Sequence, residues 1–178
     1  PDFDTWSQGI HAANGVTCAD CHMAYMRDGA AKVSNHDVDT PMRSEKSINQ
    51  SCLTCHHSTA EEMRERVDTI QQRWYAAQDI SFAAFDALVK DLEAAQANGT
   101  ATPEQIALAQ DYQRRASFLI DYNVSENSKG FHAPAYQISL LNQATDWSRR
   151  GQLALHGVDV GPASGPLPGA SPSPSGTR

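Results

Sequence analysis

Hydrophobic and polar positions divide the chain into a helical centre between two stretches without regular periodicity. Beyond residue 59, apolar residues recur every three or four positions: Met63, Val67, Ile70, Trp74, Ala84, Leu88 and Leu92. That spacing is typical of one face of an α-helix. Thr59 and Glu62 form a capping box at its start, and Asn98-Gly99 provides a stop. The pattern therefore predicts a helix from about residue 60 to residue 98.

Two more helices are predicted downstream. Thr102-Pro103 begins the second, because proline suits the first helical position, and apolar residues follow at helical spacing to about Tyr122. The third begins near Pro134 and ends by Gly151. These three helices make the predicted fold class all-α.

The two ends of the chain have a different composition. Gly, Asn, Asp and Pro occur throughout residues 1–57, which predicts loops and short turns. From Gly157 onward the chain is mostly Gly, Pro, Ser and Ala, which predicts disorder. We therefore expect three regions: a loop region at 1–57, a helical region at 58–151 and a disordered tail at 152–178.

All four cysteines belong to two copies of one motif, Cys18-Ala19-Asp20-Cys21-His22 and Cys52-Leu53-Thr54-Cys55-His56. The C-x-x-C-H motif attaches haem c: both cysteines bond to the haem vinyl groups and the histidine binds the iron. A zinc ribbon would not require a histidine after each cysteine pair, and a thioredoxin-like dithiol would need one motif in a βαβ unit. The sequence therefore predicts two covalent haem c groups, with residues 1–57 as a dihaem-binding loop region.

Composition agrees with this prediction. The mean hydropathy is −0.51 and 40% of residues are hydrophobic, so two haems would supply apolar bulk that the chain lacks. The formal net charge is −7 before the haem propionates are added, which argues against nucleic acid as a partner. No stretch is long and apolar enough to span a bilayer. Because haem c is attached after export, we expect a periplasmic protein. We also expect a mature or trimmed chain, since the sequence has no initiator Met and no signal peptide.

The motifs supply one axial ligand for each iron, and the second must come from elsewhere. Five histidines lie outside the motifs: His11, His36, His57, His132 and His156. His57 follows His56 directly and would point away from the same iron, and His156 lies at the start of the expected tail. Three methionines are also available as ligands: Met23, Met26 and Met42.

His11, His36 and His132 are the preferred candidates, because each lies in a loop-like setting near Gly, Asn or Pro. Three good candidates for two iron positions leave one histidine over. The surplus suggests a ligand for a haem that is carried elsewhere.

The order of these motifs resembles the C-terminal part of the pentahaem, ammonia-forming cytochrome c nitrite reductase family. The similarity covers residues 1 to about 150 and rests on the following segments: 1–6, Gly9-Ile10-His11, 15–23, Asn35-His36-Asp37, 50–56 and Phe131-His132-Ala133-Pro134. The implied fold is a multihaem cytochrome c, with haem-wrapping loops followed by long C-terminal helices.

The resemblance implies a set of iron ligands. Cys18, Cys21 and His22 match the family's fourth haem, with His132 as the distal ligand. Cys52, Cys55 and His56 match the fifth haem, with His11 as the distal ligand. His36 matches the distal ligand of the second haem, which family members attach upstream of this sequence.

The resemblance also implies a role in the six-electron reduction of nitrite to ammonium. The family performs it at a lysine-ligated haem with an arginine, a tyrosine, a histidine and a nearby calcium ion, and none of those positions falls in this chain. The active-site histidine would directly precede the residue matching Pro1, so we expect a C-terminal fragment or one piece of a split enzyme. This chain would then relay electrons only. The alternatives are a stand-alone dihaem carrier and part of an octahaem enzyme acting on nitrite, hydroxylamine or tetrathionate.

Several partners follow from the resemblance. The N-terminal haem-bearing portion of the enzyme would supply the catalytic haem, and a quinol-linked or small cytochrome donor would supply electrons. The helices at 59–98 and 103–122 would form a homodimer contact. From the residues alone, the long first helix fits either a coiled-coil partner surface or a core-facing helix that also covers haem.

Overall fold

The computed structural model describes residues 1–164 and residue 168. Seven α-helices occur in that part of the chain: α1 Asp2–Trp6, α2 Ile10–Ala13, α3 Cys18–His22, α4 Glu45–Ser51, α5 Ala60–Asn98, α6 Pro103–Val124 and α7 Pro134–Leu155. Two 3₁₀ turns, Pro41–Arg43 and Cys52–Thr54, flank α4. The remaining regular structure is one hairpin of strands β1 Tyr25–Asp28 and β2 Ala31–Ser34. The predicted all-α class is confirmed.

Capping residues fix the boundaries of the long helices. Thr59 accepts a hydrogen bond from the Glu62 amide at 3.1 Å and donates its own amide to the Glu62 carboxylate at 2.8 Å. Thr102 and Gln105 form the same reciprocal pair at the start of α6. Gly99 ends α5 in the left-handed conformation, at φ 62°. The 39 residues of α5 extend over about 58 Å at the usual helical rise.

The core lies between the three long helices, where α7 packs against both α5 and α6. Large apolar side chains from all three helices are buried there, among them Leu88, Tyr112, Leu119, Leu141 and Trp147. Gly151 of α7 permits the close approach, since a Cβ at this position would lie 2.8 Å from the Leu88 methyl carbons. This bundle is the frame on which the haem-motif region rests.

The end of the helical region differs from the boundary expected at residue 152. Helix α7 continues to Leu155, and the Tyr112 hydroxyl donates to the carbonyl oxygens of Val160 and Gly161 at 3.1 and 3.2 Å. Ala163 is buried against the core. The segment after α7 is therefore packed, because its few apolar residues meet the exposed edge of the bundle. The rest of the expected tail, 165–167 and 169–178, lies outside the described residues.

The region before α5 consists of short elements rather than loops alone. The β1–β2 hairpin pairs Tyr25 with Ser34 and Asp28 with Ala31, and Gly29 takes φ +58° in its two-residue turn. Ile48 of α4 is fully buried. Within the described residues, no helix is both long and apolar enough to cross a membrane.

Candidate haem-binding sites

The first motif lies on a short helix that presents its three ligating residues together. Cys18, Cys21 and His22 occupy positions i, i+3 and i+4 of α3, and such residues share one helix face. The helix begins with a capping box, in which the Thr17 amide donates to the Asp20 carboxylate at 2.7 Å. Asp20, an unspecified position of the motif, therefore stabilises the turn that brings the two cysteines together.

The second motif lies on a tighter turn. Cys52–Thr54 forms a 3₁₀ turn at the end of α4, and the His56 amide donates to the Cys52 carbonyl at 2.9 Å. The Thr54 hydroxyl closes the turn by donating to the Ser51 carbonyl at 2.7 Å. His56 thus follows its cysteines in a compact geometry similar to that of the first motif.

Each motif histidine faces one histidine from outside the motifs. The ring centroids of His56 and His11 lie 6.2 Å apart, with an interplanar angle of 86°. The ring centroids of His22 and His132 lie 6.3 Å apart, with an angle of 71°. These are the two pairs that the family resemblance implied.

The spacing of both pairs suits one metal ion between two imidazoles. Ring nitrogens bind such metals at about 2 Å and lie about 1 Å from their own ring centre, so two rings sharing one metal have centroids about 6 Å apart. Two neutral imidazoles and two thiols from one motif are also the donor set that haem c requires. The residues present therefore fit the cofactor.

A backbone hydrogen bond orients the His22 ring. Its Nδ1 lies 3.0 Å from the carbonyl oxygen of Asp39. Because a carbonyl oxygen only accepts, Nδ1 must carry the proton, and the lone pair on Nε2 stays free for a metal. This contact fixes the tautomer that a proximal iron ligand needs.

His132 is oriented by a buried carboxylate. Its Nδ1 lies 2.5 Å from Oε1 of Glu126, a residue that is only 1% exposed. Burial opposes ionisation of Glu126, but hydrogen bonds from His132, Ser128 and Gln137 outweigh it, so the pKa of this carboxyl lies below its ordinary value. The ionised carboxylate accepts a hydrogen bond from Nδ1–H of His132, which again leaves the lone pair on Nε2 free.

A cavity of about 770 Å³ lies between the two motifs. Its walls include His11, Cys21, Cys52, Cys55, His56 and Phe131. The volume falls in the range of about 300–1,000 Å³ that is common for small-molecule and cofactor sites. The second cysteine pair and the His56–His11 pair therefore line the same cavity.

The cysteines are available for thioether bonds, since none of the four forms a disulfide. Burial, followed by the nearby Cys52 thiol, raises the pKa of Cys21 to about 11. Cys21 and Cys52 both line this cavity, so the two motifs lie close together. The two sites are neighbours rather than separate centres.

His11 lies in a partly apolar setting. Its ring centroid is 5.8 Å from that of Phe131, which directly precedes His132. Burial, and then positive charge on His56 and His132, lowers the pKa of His11 and favours the neutral imidazole, the form that binds metal. Phe131 therefore packs against one proposed distal histidine and directly precedes the other in the sequence.

The other histidines lie elsewhere. His36 is exposed on the turn after β2, and His57 and His156 are also exposed. Each motif histidine has its ring partner without any of them. Met23 and Met26 line the cavity, while Met42 accepts a hydrogen bond from Arg64 through its backbone carbonyl.

Sequence reasoning did not identify Glu126 or the Asp39 carbonyl as part of the sites. Asp39 acts through its backbone, which carries no sequence signal. Glu126 lies six positions before His132 in the connection between α6 and α7, and that spacing corresponds to no regular element. Only the fold of the connection brings the carboxylate to the imidazole.

Two C-x-x-C-H turns, each with its histidine facing a second imidazole, define a multihaem c-type cytochrome. The chain belongs to the cytochrome c552 family, whose family model matches residues 1–165. The resemblance inferred from the motifs is thereby confirmed, and haem c is the cofactor class.

Among curated relatives, the chain is 35% identical over 170 residues to the cytochrome c nitrite reductase subunit NrfA of Nitratidesulfovibrio vulgaris, covering 90% of this chain and 32% of that protein. It is 32% identical over 160 residues to cytochrome c-552 of Desulfotalea psychrophila, covering 89% and 30%. The solved cytochrome c nitrite reductase from Desulfovibrio desulfuricans matches with a TM-score of 0.76 at 28% identity, covering 88% of this chain and 33% of that one. The chain thus spans about a third of the length of these relatives.

Proposed function

We propose that this chain is the electron-transfer segment of an ammonia-forming cytochrome c nitrite reductase and holds two bis-histidine haems. The observation that carries the proposal is the pairing of each motif histidine with one outside histidine, at centroid distances of 6.2 and 6.3 Å. Similarity to the named nitrite reductases supports the activity of the whole enzyme.

Each residue then has a defined part. Cys18 and Cys21 would hold one haem, with His22 and His132 as its iron ligands. Cys52 and Cys55 would hold the other, with His56 and His11 as its iron ligands. Haem iron supplies a one-electron redox centre when bound. Two imidazoles on each iron would leave it no ligand position for nitrite. Nitrite reduction therefore belongs to a catalytic haem and residues outside this chain.

His36 has a separate part in this proposal. It is exposed and belongs to neither histidine pair. It would ligate a haem attached to the N-terminal portion of the enzyme, forming an iron bond between the two segments. The flanking turn supports this role, since the Asp37 amide donates to the Asn35 side chain at 3.0 Å and fixes the backbone on both sides of His36.

The long helices fit a homodimer contact. Tyr75, Ile80 and Phe82 of α5 are 41%, 61% and 42% exposed, which leaves apolar surface outside the bundle core. A quinol-linked or small cytochrome donor would deliver electrons, and attachment of haem c after export would place the enzyme in the periplasm. The net charge of −7 continues to argue against a nucleic-acid partner.

The division of labour is tested with the purified holo chain and the full-length enzyme. Both are supplied with nitrite and a strong one-electron reductant, and ammonium is measured per haem. The isolated chain should show only low-spin haem in electron paramagnetic resonance (EPR) spectra and should form no ammonium. Ammonium formed by the chain at the rate of the full enzyme would overturn the proposal.

A further inference from the structure

Glu126 is a carboxylate in a place where a charge is costly unless it is paired. It is 1% exposed and lies in the connection between α6 and α7. The structure gives its two oxygens different partners. Oε2 accepts hydrogen bonds from the Ser128 backbone amide at 3.1 Å, the Ser128 hydroxyl at 2.7 Å and the Gln137 side-chain amide at 2.7 Å. Oε1 lies against the His132 ring at 2.5 Å.

This division makes the carboxylate a rigid acceptor. Three neutral donors at Oε2 hold the group in one orientation, so Oε1 is aimed at Nδ1 of His132 before any metal is bound. The connection that carries Glu126 is also attached to α1, since the backbone amide of the neighbouring Asn127 donates to the Asp2 carboxylate at 3.1 Å. Hydrogen bonds to the Glu126 carboxylate and to the adjacent backbone therefore both stabilise the position from which Glu126 contacts His132.

The two rings of this pair have different second partners. His22 donates to the neutral carbonyl of Asp39, whereas His132 donates to an anion. An anionic acceptor draws the Nδ1 proton more strongly and makes Nε2 a more basic ligand. A more basic ligand stabilises ferric over ferrous iron, which lowers the reduction potential.

Resting on the proposed ligation, we propose that Glu126 is a positioning residue for His132. It holds the imidazole in the Nδ1-protonated form, fixes the ring towards His22 and lowers the reduction potential of the haem that these histidines ligate. In the described part of the chain, no carboxylate hydrogen-bonds to the rings of His11 or His56, so the second haem serves as an internal reference.

The test is Glu126→Gln in the holo chain, with the potentials of both haems followed by EPR-monitored redox titration. The His132→Ala variant identifies which low-spin signal belongs to this haem. In Glu126→Gln, the reduction equilibrium of that haem should shift about tenfold or more towards ferrous iron, which is about 59 mV for one electron. Its EPR g-values should change, and the other haem should keep its potential.

Gln71→Met is the matched control. It removes the hydrogen bond that the Gln71 side chain donates to the Ser128 carbonyl oxygen of the same connection at 3.1 Å, and it leaves every partner of the Glu126 carboxylate in place. A purely structural role predicts that both variants lower the melting temperature and that neither shifts the potential upward. The proposal requires an upward shift of the potential in Glu126→Gln and no shift in the control.

If Glu126→Gln does not fold, Glu126→Asp decides, because it keeps the charge and withdraws the oxygen from His132 by one methylene. It should also raise that haem's potential. A folded variant at Glu126 with an unchanged potential and unchanged g-values overturns the inference. If His132→Ala instead leaves both haems low-spin, the ligation under "Proposed function" fails, which is a different outcome.

Discussion

Gly9 and His132 meet so closely that no side chain fits between them. A Cβ on Gly9 would lie 2.0 Å from the carbonyl oxygen of His132 and 3.2 Å from its carbonyl carbon. Gly9 is the N-cap of α2, the helix that carries His11. One backbone contact therefore sets the positions of both proposed distal ligands at once.

Gly9→Ala should disturb both haem sites. The methyl group would push α2 away from the His132 backbone, and relief of such overpacking typically costs about 1–3 kcal/mol. We expect a lower melting temperature and a high-spin fraction at both haems, measured by thermal unfolding and EPR.

Gly29→Ala is the control for that variant. Gly29 has nothing within 4 Å of its Cβ position but has φ +58°. The substitution should cost about 1–2 kcal/mol from backbone strain and leave the spin states alone. Equal spectra for the two variants would show that the Gly9 contact does not position the ligands.

The chain should carry two covalent haems, because the sequence has two cysteine pairs and no cysteine outside them. Intact-mass spectrometry and the pyridine haemochrome spectrum of the denatured protein both count them. One haem, or three, would contradict the assignment.

His11→Ala and His132→Ala should each convert one low-spin haem to a high-spin or water-ligated form. Each removes one ring of a pair that is 6.2 or 6.3 Å apart. His57→Ala is a matched control, because His57 is exposed and follows a motif histidine. Unchanged g-values in both distal variants would exclude these ligands.

His36→Ala should leave the spectrum of the isolated chain unchanged, because His36 belongs to neither pair. In the complete enzyme it should convert one further haem, attached to the other segment, to high spin. A change of spin state in the isolated chain would assign His36 to a local haem and would require either His11 or His132 to be given up.

The long helices could be predicted from the sequence because local signals fix them. Thr59 and Thr102 mark starts that the structure places within one residue, and Gly99 marks an end. The hairpin was not predicted, although Asp28-Gly29 is a turn signal, because its strands have four residues each and are mostly exposed. Short exposed strands leave little periodicity to read.

The candidate sites divide in the same way. The cysteines, His22 and His56 follow from a local motif, whereas nothing local links His132 to His22 or His11 to His56. The residues alone left three candidates for two positions, and only the family resemblance assigned them. Neither the motifs nor the family resemblance identified Glu126, because its contact with His132 depends on how residues 125–133 fold between two helices.

The separation of His22 from His132 along the chain has a consequence for the order of events during maturation. Each doubling of the length of a closed loop adds only about 0.6 kcal/mol to the free energy of closing it, so the long separation costs little at equilibrium. If the chain is exported from its N-terminus, as proposed, His11 and His56 would emerge well before residue 132. With the proposed pairing, the haem at Cys18 and Cys21 would gain its distal ligand after the haem at Cys52 and Cys55. Until α7 begins to form, the iron of the haem at Cys18 and Cys21 would be open to any small ligand in the surrounding compartment.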